Sequence, residues 1–405
     1  MNKSVYMVNL GCPKNLVDGE VMLGLLAREG YTISLDPELA EVLMVNTCSF
    51  INEAKEEILK QKRILLDGPA TYIGASHILP DHETPRIAST PFYTAYLKIA
   101  EGCNHKCAFC IIPKIRGLQE SRPVAPPVTE AAMLAAQAVK ELNLIAQDLT
   151  AYGRERRDGT TLLALLRALS TVDGITWIRL LYCYPNYLDE PLLRCIAEAE
   201  NVCPYIDMPL QHISDRMLRT MRREKSGDGI RRLLDRIRTQ IPGVVLRTSF
   251  IVGFPGEQEE DFQQLLDFVD EAQIDHVGVF RYSQEEGTTA GVLPNQVPDE
   301  VKQERWQRLM ERQAVVVRRK NLALIGSEQQ VLLCGHDDHG RLWGRTSGQA
   351  PDIDGIVYLN RAAAEIGEII PVRIHAASGY DLRATPFPPQ EIKWEKPIDF
   401  ANSPL

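Results

Sequence analysis

Apolar positions along this chain fall first into short runs and then into helical stripes. Tyr6 to Leu10 reads as a strand and Gly11-Cys12-Pro13-Lys14-Asn15 as a loop. Val17, Val21 and the Leu25/Leu26 pair then form one face of a helix that closes at Gly30. Tyr31–Leu35 and Val42–Val45 read as two further strands, the second ended by Asn46-Thr47-Cys48, and residues 51–65 read as a helix. This is a β-α-β-α order. It sets Cys12 and Cys48 at the carboxyl ends of strands, the edge where open α/β sheets bind ligands. From residue 66 to 91 periodicity gives way to Pro, Gly, His and Thr, the composition of a linker.

Between residues 92 and 300 strand and helix alternate six times. The expected strands are Tyr93–Ala100, Leu142–Ala146, Trp177–Cys183, Tyr205–Met208, Val244–Val252 and His276–Tyr282. Helical stripes over Glu130–Lys140, Leu162–Leu169, Pro191–Ala199 and Glu259–Phe268 lie between them, and Val301–Leu324 is a charged helix. Repeated βα units predict a parallel barrel with its site at the carboxyl ends of the strands. Six units rather than eight predict an incomplete barrel. Four short strands follow (Gln330–Leu333, Arg341–Gly344, Gly355–Leu359, Ile369–Ile374), the pattern of a small antiparallel barrel. The fold class is therefore α/β: a Rossmann-like first domain over residues 1–66, a linker over 67–91, a partial (β/α)6 barrel over 92–324, a small β-barrel over 325–386 and a proline-containing tail over 387–405.

Composition narrows the setting. No apolar run approaches the roughly 20 residues of a membrane span, and the first ten residues read as a strand rather than a signal peptide, so a cytoplasmic protein with no membrane partner is expected. The net charge of −9 argues against whole-surface attraction to nucleic acid and suits a basic partner. In a reducing compartment nine cysteines are ligands or core residues rather than disulfides.

Three of them carry the chemistry. Cys103, Cys107 and Cys110 follow the first barrel strand at a C-x3-C-x2-C spacing. Three thiolates leave one iron of a [4Fe–4S] cluster open. An open iron chelates the amino and carboxylate groups of S-adenosylmethionine, and an electron from the cluster breaks the sulfonium into methionine and a 5′-deoxyadenosyl radical. Zinc with His105 as fourth ligand is the competing reading. It is disfavoured because His105 sits between two ligands in a tight loop. Phe109, beside the last ligand, packs near the adenine, shields the cluster, or simply fills core. Gln147 and Asp148 end the second barrel strand, where a polar side chain would hold the amino group. Arg247 is placed to grip the methionine carboxylate, and Gly253 to let backbone approach the adenosine. Gln211-His212 is a weaker strand-end candidate. Cys183 ends a strand on the site side, while Cys195 and Cys334 read as core.

These motifs together resemble the radical-SAM methylthiotransferases along nearly the whole chain. The resemblance rests on Asn9–Asn15, Asn46-Thr47-Cys48, Cys103–Cys110 with Ile111-Ile112-Pro113, and Phe250–Glu257. It implies an auxiliary-cluster domain, a radical barrel and a substrate-binding TRAM barrel. Leu142–Tyr152, Tyr205–His212 and Ala350–Gly355 look most like the branch that methylthiolates the β-carbon of an aspartate in the twelfth protein of the small ribosomal subunit. The sister branch modifies a tRNA adenosine. Charge separates the two, because residues 328–383 hold eight acids against five bases. That balance repels phosphates and suits a basic ribosomal protein, against tRNA.

The family's chemistry implies one S-adenosylmethionine as methyl donor, a second as radical source, and an external one-electron donor such as flavodoxin or ferredoxin. It also implies a second [4Fe–4S] cluster on three N-terminal cysteines. Cys12 and Cys48 match two of them, but no cysteine lies between Cys48 and Cys103. A stretch of the first domain is missing. Either a histidine such as His77 or His82 substitutes, or the second cluster is absent and the chain is a radical-SAM remnant or binding protein that inserts no sulfur, or the chain is a shortened form of a normal enzyme.

Overall fold

A computed structural model describes residues 3–47, 79–360 and 364–388. The expected helix over 51–65, Cys48 and His77 lie outside these residues. The chain divides into two compact units, residues 1–316 and 317–405.

The first unit opens with a small parallel sheet. Strands β1 (Ser4–Asn9), β2 (Thr32–Ile33) and β3 (Val42–Asn46) lie in the order β2-β1-β3. Helix α1 (Pro13–Arg28) crosses from β1 to β2. Pro13 starts it, where a missing N–H costs nothing, and Arg28 in the last turn suits the negative end of the helix. Residues 79–91 have no regular structure, as a linker should, yet they are strapped to α1. Glu20 is buried and accepts from Arg86 Nε at 2.8 Å, Ser89 N at 2.6 Å and Ser89 Oγ at 2.8 Å. The carbonyl of Pro85 passes so close to Gly24 that a Cβ there would stand 2.3 Å from it.

The six-stranded sheet of this unit runs β4 (Thr94–Lys98), β7 (Glu141–Ile145), β8 (Trp177–Leu180), β9 (Val202–Asp207), β10 (Val245–Val252) and β11 (His276–Arg281), all parallel and in chain order. The sheet does not pair β11 back to β4, so the incomplete barrel is the observed architecture. β4, β7 and β8 are buried at every position, and strands buried on both faces read as the continuous apolar runs seen in the sequence. A two-stranded ribbon, β5 (Ala100–Glu101) with β6 (Glu120–Ser121), brackets the three-cysteine loop and the short helix α2 (Ile112–Ile115).

The outer layer is α3 (Ala125–Ala136), α4 (Leu162–Leu169), α5 (Glu190–Glu198), α6 (Asp215–Thr220), α7 (Gly227–Gln240), α8 (Glu259–Ala272) and α9 (Asp299–Ala323), the last running on into the second unit. The apolar stripes of α4 and α8 meet strand residues such as Leu144, Ile178 and Phe250 in one core.

The second unit is a closed barrel of β12 (Glu328–His336), β13 (Leu342–Thr346), β14 (Val357–Leu359), β16 (Asp381–Pro386) and β15 (Ile369–Ser378), in that order around the ring. The expectation of a wholly antiparallel barrel is corrected here. β14 and β16 pair in parallel, because two reversals separate them in the chain, and β16 was not foreseen.

Candidate functional site

The site forms where the carboxyl ends of the large sheet meet the first turns of α1. β4 leads through β5 into Cys103. Gly102 makes that turn at φ +78°, and a Cβ there would stand 2.1 Å from the Leu118 carbonyl oxygen, so only glycine fits. The loop is clamped along its length. Cys103 N–H donates to the Gly117 carbonyl at 3.1 Å, Ala108 N–H to the Met221 carbonyl at 3.0 Å, and Ala290 N–H to the Ala108 carbonyl at 2.8 Å.

Burial pushes the Cys103 thiol up to about 11, against a bond from the His105 N–H, and the Cys110 thiol up to about 12, against one from the Ile112 N–H. Arg223 donates to Cys107 Sγ at 3.4 Å and adds a positive charge beside the loop. Such a pocket disfavours bare thiolates and needs a bound cation to hold them. Among the described residues no three His, Cys, Asp or Glu side chains close on a single-ion site. A four-iron cube gives each thiolate its own iron and does not ask three sulfurs to meet at one atom. His105 is not a fourth ligand. Its Nε2 lies 2.6 Å from Asp148 Oδ2, and its ring stacks on Tyr184 with centroids 3.8 Å apart. Asp148 thus orients His105 rather than facing a ligand.

Gln147 behaves differently. Its Nε2 donates to Glu101 Oε1, while its Oε1 is buried with no hydrogen-bond partner. An unpartnered buried acceptor next to the cysteine loop suits a ligand ammonium, which has donors and no acceptor. Arg247, on β10, is oriented by Asp207 at the end of β9, with Nη1 to Oδ1 at 3.0 Å. Phe109 packs against the cluster of Ala108, Met217, Met221 and Phe254 behind the loop. Gly253 turns at φ +72°, but the side chain of Lys302 fills the space a Cβ would take, so its openness serves packing. Gln211 carries a positive φ and bridges to Phe250. His212 is fully buried and accepts the Ile213 and Ser214 N–H groups on Nδ1, a structural role.

Cys12 caps α1. Burial raises its thiol, but the Lys14 ammonium, the N–H groups of Asn15 and Lys14, and Arg116 outweigh it and hold the thiol below its usual value. Lys14 lies 3.4 Å above the Tyr182 ring. Asn9 and Asn46 are in register, and Asn46 Nδ2 donates to Asn9 Oδ1 at 2.9 Å, so β1 and β3 end side by side. Pro85, three residues after His82, packs at Gly24, about 18 Å along the helix from Cys12 at 1.5 Å per residue.

One group of site residues had escaped the sequence reading. Lys98, Glu101, Asp18 and Arg116 form a buried charge network between α1 and the sheet, with Lys98 Nζ to Asp18 Oδ1 and Arg116 Nη1 to Asp18 Oδ2 both at 2.6 Å. A lone lysine inside the apolar run Tyr93–Ala100 was the available signal. Beside the loop opens a cavity of about 380 Å³ lined by Asn104, His105, Lys106, Arg154, Tyr184 and Tyr187. A cavity of about 420 Å³ against α4 and α5 lies on the outer helical layer and shares no residue with the site.

Known proteins match this chain in three blocks. The radical SAM superfamily profile covers residues 97–269, an uncharacterized protein family, UPF0004, covers 4–68, and the TRAM domain covers 325–386. The ribosomal protein uS12 methylthiotransferase RimO of Geotalea uraniireducens is 42% identical over 438 residues, covering 94% of this chain and 98% of that protein. Those of Pelobacter propionicus and Geobacter sulfurreducens are each 44% identical over 436 residues, covering 94% of this chain and 97% and 98% of theirs. Alignments of that length over a 405-residue chain open gaps of several tens of positions on this side. Among solved structures, the radical S-adenosylmethionine methyltransferase TsrM from Kitasatospora setae shares the fold, with a TM-score of 0.51 and 16% identity over 72% of this chain and 77% of that one.

Proposed function

The chain belongs to the ribosomal protein uS12 methylthiotransferase family, and we propose that it methylthiolates the β-carbon of an aspartate in that basic ribosomal protein, in the cytoplasm. The observation that carries this reading is the gathering of Cys103, Cys107 and Cys110 with the unpartnered Gln147 oxygen at the carboxyl edge of a radical-SAM sheet. A [4Fe–4S] cluster and S-adenosylmethionine supply, when bound, the methyl group and the radical that opens an unactivated C–H bond.

The chain's own residues bind and orient. The His105 and Ile112 N–H groups and the Arg223 guanidinium stabilise the thiolates. Gln147 accepts from the amino group, Arg247 pairs with the carboxylate while Asp207 holds its angle, and Phe109 screens the loop from water. Each radical consumes one electron, so an external one-electron carrier of the flavodoxin or ferredoxin kind must supply it. The acid excess over residues 328–383 favours a lysine- and arginine-rich protein over tRNA.

One observation favours a second reading. Cys12 and Cys48 are the only cysteines ahead of Cys103. Two thiolates do not complete the auxiliary cluster that the resemblance implies, and a chain so equipped cleaves S-adenosylmethionine without inserting sulfur. Iron and acid-labile sulfide per chain after anaerobic reconstitution separate the two, measured on wild type and on the Cys103→Ala, Cys107→Ala, Cys110→Ala triple variant. Methylthiolation predicts about eight irons falling to about four. About four falling to near zero leaves the radical cluster alone and removes sulfur insertion from this chain.

A further inference from the structure

The charge network between α1 and the sheet does more than hold two elements together. It ends on the atom that faces the ligand. Glu101 is ion-paired with the Lys98 ammonium through one oxygen and accepts the Gln147 Nε2 and Gly102 N–H groups on the other, the latter at 3.2 Å. Lys98 turns its remaining donors to Asp18, and Arg116 bridges Asp18 at 2.6 Å, Asn15 Oδ1 at 3.1 Å and Glu101 at 3.6 Å. Lys98, Asp18 and Glu101 are almost wholly excluded from water. Two cations face two carboxylates, so the set is neutral as built.

We propose that Asp18 is a positioning residue for S-adenosylmethionine, acting from the N-terminal domain through Lys98 and Glu101 on the amide of Gln147. A carboxylate has acceptors only, so Glu101 can take nothing but the NH2 end of that amide. The oxygen of Gln147 must then point the other way, as the buried acceptor left open. The two ends of a glutamine amide are alike in shape, and only this partner keeps them apart. Without the Asp18 charge, Lys98 and Arg116 together draw on Glu101 alone. The carboxylate turns toward them, Gln147 loses the contact that orders it, and its amide is free to present NH2 to the ligand's ammonium. The S-adenosylmethionine site is in this sense built by both domains, although no atom of α1 need touch the ligand.

The inference rests on Gln147 holding the amino group, and the test separates the two. Asp18→Asn, Gln147→Ala and Asn15→Ala would be reconstituted anaerobically. Iron per chain, the melting temperature and the S-adenosylmethionine Kd by equilibrium dialysis would be measured, with the electron paramagnetic resonance change that S-adenosylmethionine causes in the reduced cluster. Asp18→Asn should keep the iron of the Cys103 loop, raise Kd at least tenfold toward the Gln147→Ala value, and blunt the spectral change. Asn15→Ala, which removes a contact of Arg116 but no charge, should lower the melting temperature and leave Kd alone. An unchanged Kd in Gln147→Ala overturns the reading of Gln147. A raised Kd in Gln147→Ala with an unchanged Kd in Asp18→Asn overturns the role of Asp18 only. If Asp18→Asn does not fold, the charge-balanced Asp18→Asn/Lys98→Met pair decides. There Glu101 turns to Arg116, and a wild-type Kd sinks the proposal.

Discussion

His212 shows how a single residue can be legible by position and misread by role. The sequence placed it at a strand end on the site edge. The structure spends its Nδ1 on two backbone N–H groups, which puts the ring proton on Nε2, and burial holds its pKa down to about 3. Between about pH 6.5 and 3 the unfolded chain takes up a proton that the folded chain refuses, so stability falls as pH drops through that window, by about 1.4 kcal/mol per unit. Glu257, 3.7 Å away, acts in the opposite sense. Burial raises it to about 7, so its share of stability is lost as pH rises from its ordinary 4.5 toward 7. His212→Asn keeps an acceptor at the δ position and has nothing to titrate. On going from pH 7 to pH 5 its urea midpoint should gain relative to wild type, because the His212 loss is gone while the Glu257 gain remains; equal shifts in both proteins would show that His212 contributes no slope. Cys103, Cys107, Cys110 and Gln147 could be singled out because spacing and strand ends mark them. Glu101 and Asp18 could not, because Asp18 meets its partner Lys98 across 80 residues, which leaves no local trace.

At the scale of elements, the six parallel strands were plain because burial on both faces writes an unbroken apolar run. Helix α7 was missed although Ile230, Leu233, Leu234 and Ile237 stand at helical spacing and are buried. Two glycines at its start and four arginines along it masked the stripe. Residues 79–91 act as a strap, which composition alone does not announce. Its hold on α1 makes Glu20 a sharp test, because Glu20→Ala leaves Arg86 half-paired in a dry place. Losing one partner of a buried ion pair costs about 3–5 kcal/mol. The melting temperature of the first unit should fall, and limited proteolysis should begin within residues 79–91. Cleavage elsewhere first would mean that the strap is held by something other than Glu20.

Over the whole molecule, domain order, the open barrel and the terminal β-barrel were all readable, since each rests on a repeated period. The direction of β16 was not, because pairing two strands in parallel across a hairpin depends on how the ring closes. The two units have separate cores, so damage to one should spare the other. In the second unit, a Cβ on Gly355 would stand 2.0 Å from the Tyr380 carbonyl oxygen. Gly355→Ala should lower one calorimetric transition and leave iron per chain unchanged. Iron lost along with that transition would mean that the units unfold together.

The anchors of α1 bear on how such domains can be exchanged. Asn15, Asp18, Glu20 and Gly24 sit on one helix, and their partners are Arg116, Lys98, Arg86, Ser89 and Pro85. All of them lie outside residues 48–78. These contacts of the first domain thus do not depend on that interval. A chimaera that grafts a full-length first domain from a relative onto this barrel needs carboxylates at positions 18 and 20 of the incoming helix and a glycine at 24. A donor lacking them would leave Lys98 with Glu101 alone and Arg86 with Glu130 alone, however well its own cluster assembles. Compatibility between first domain and barrel is written at four positions of a single helix, Asn15 and Asp18 on one side and Glu20 and Gly24 on the other, and it can be read before any hybrid is made.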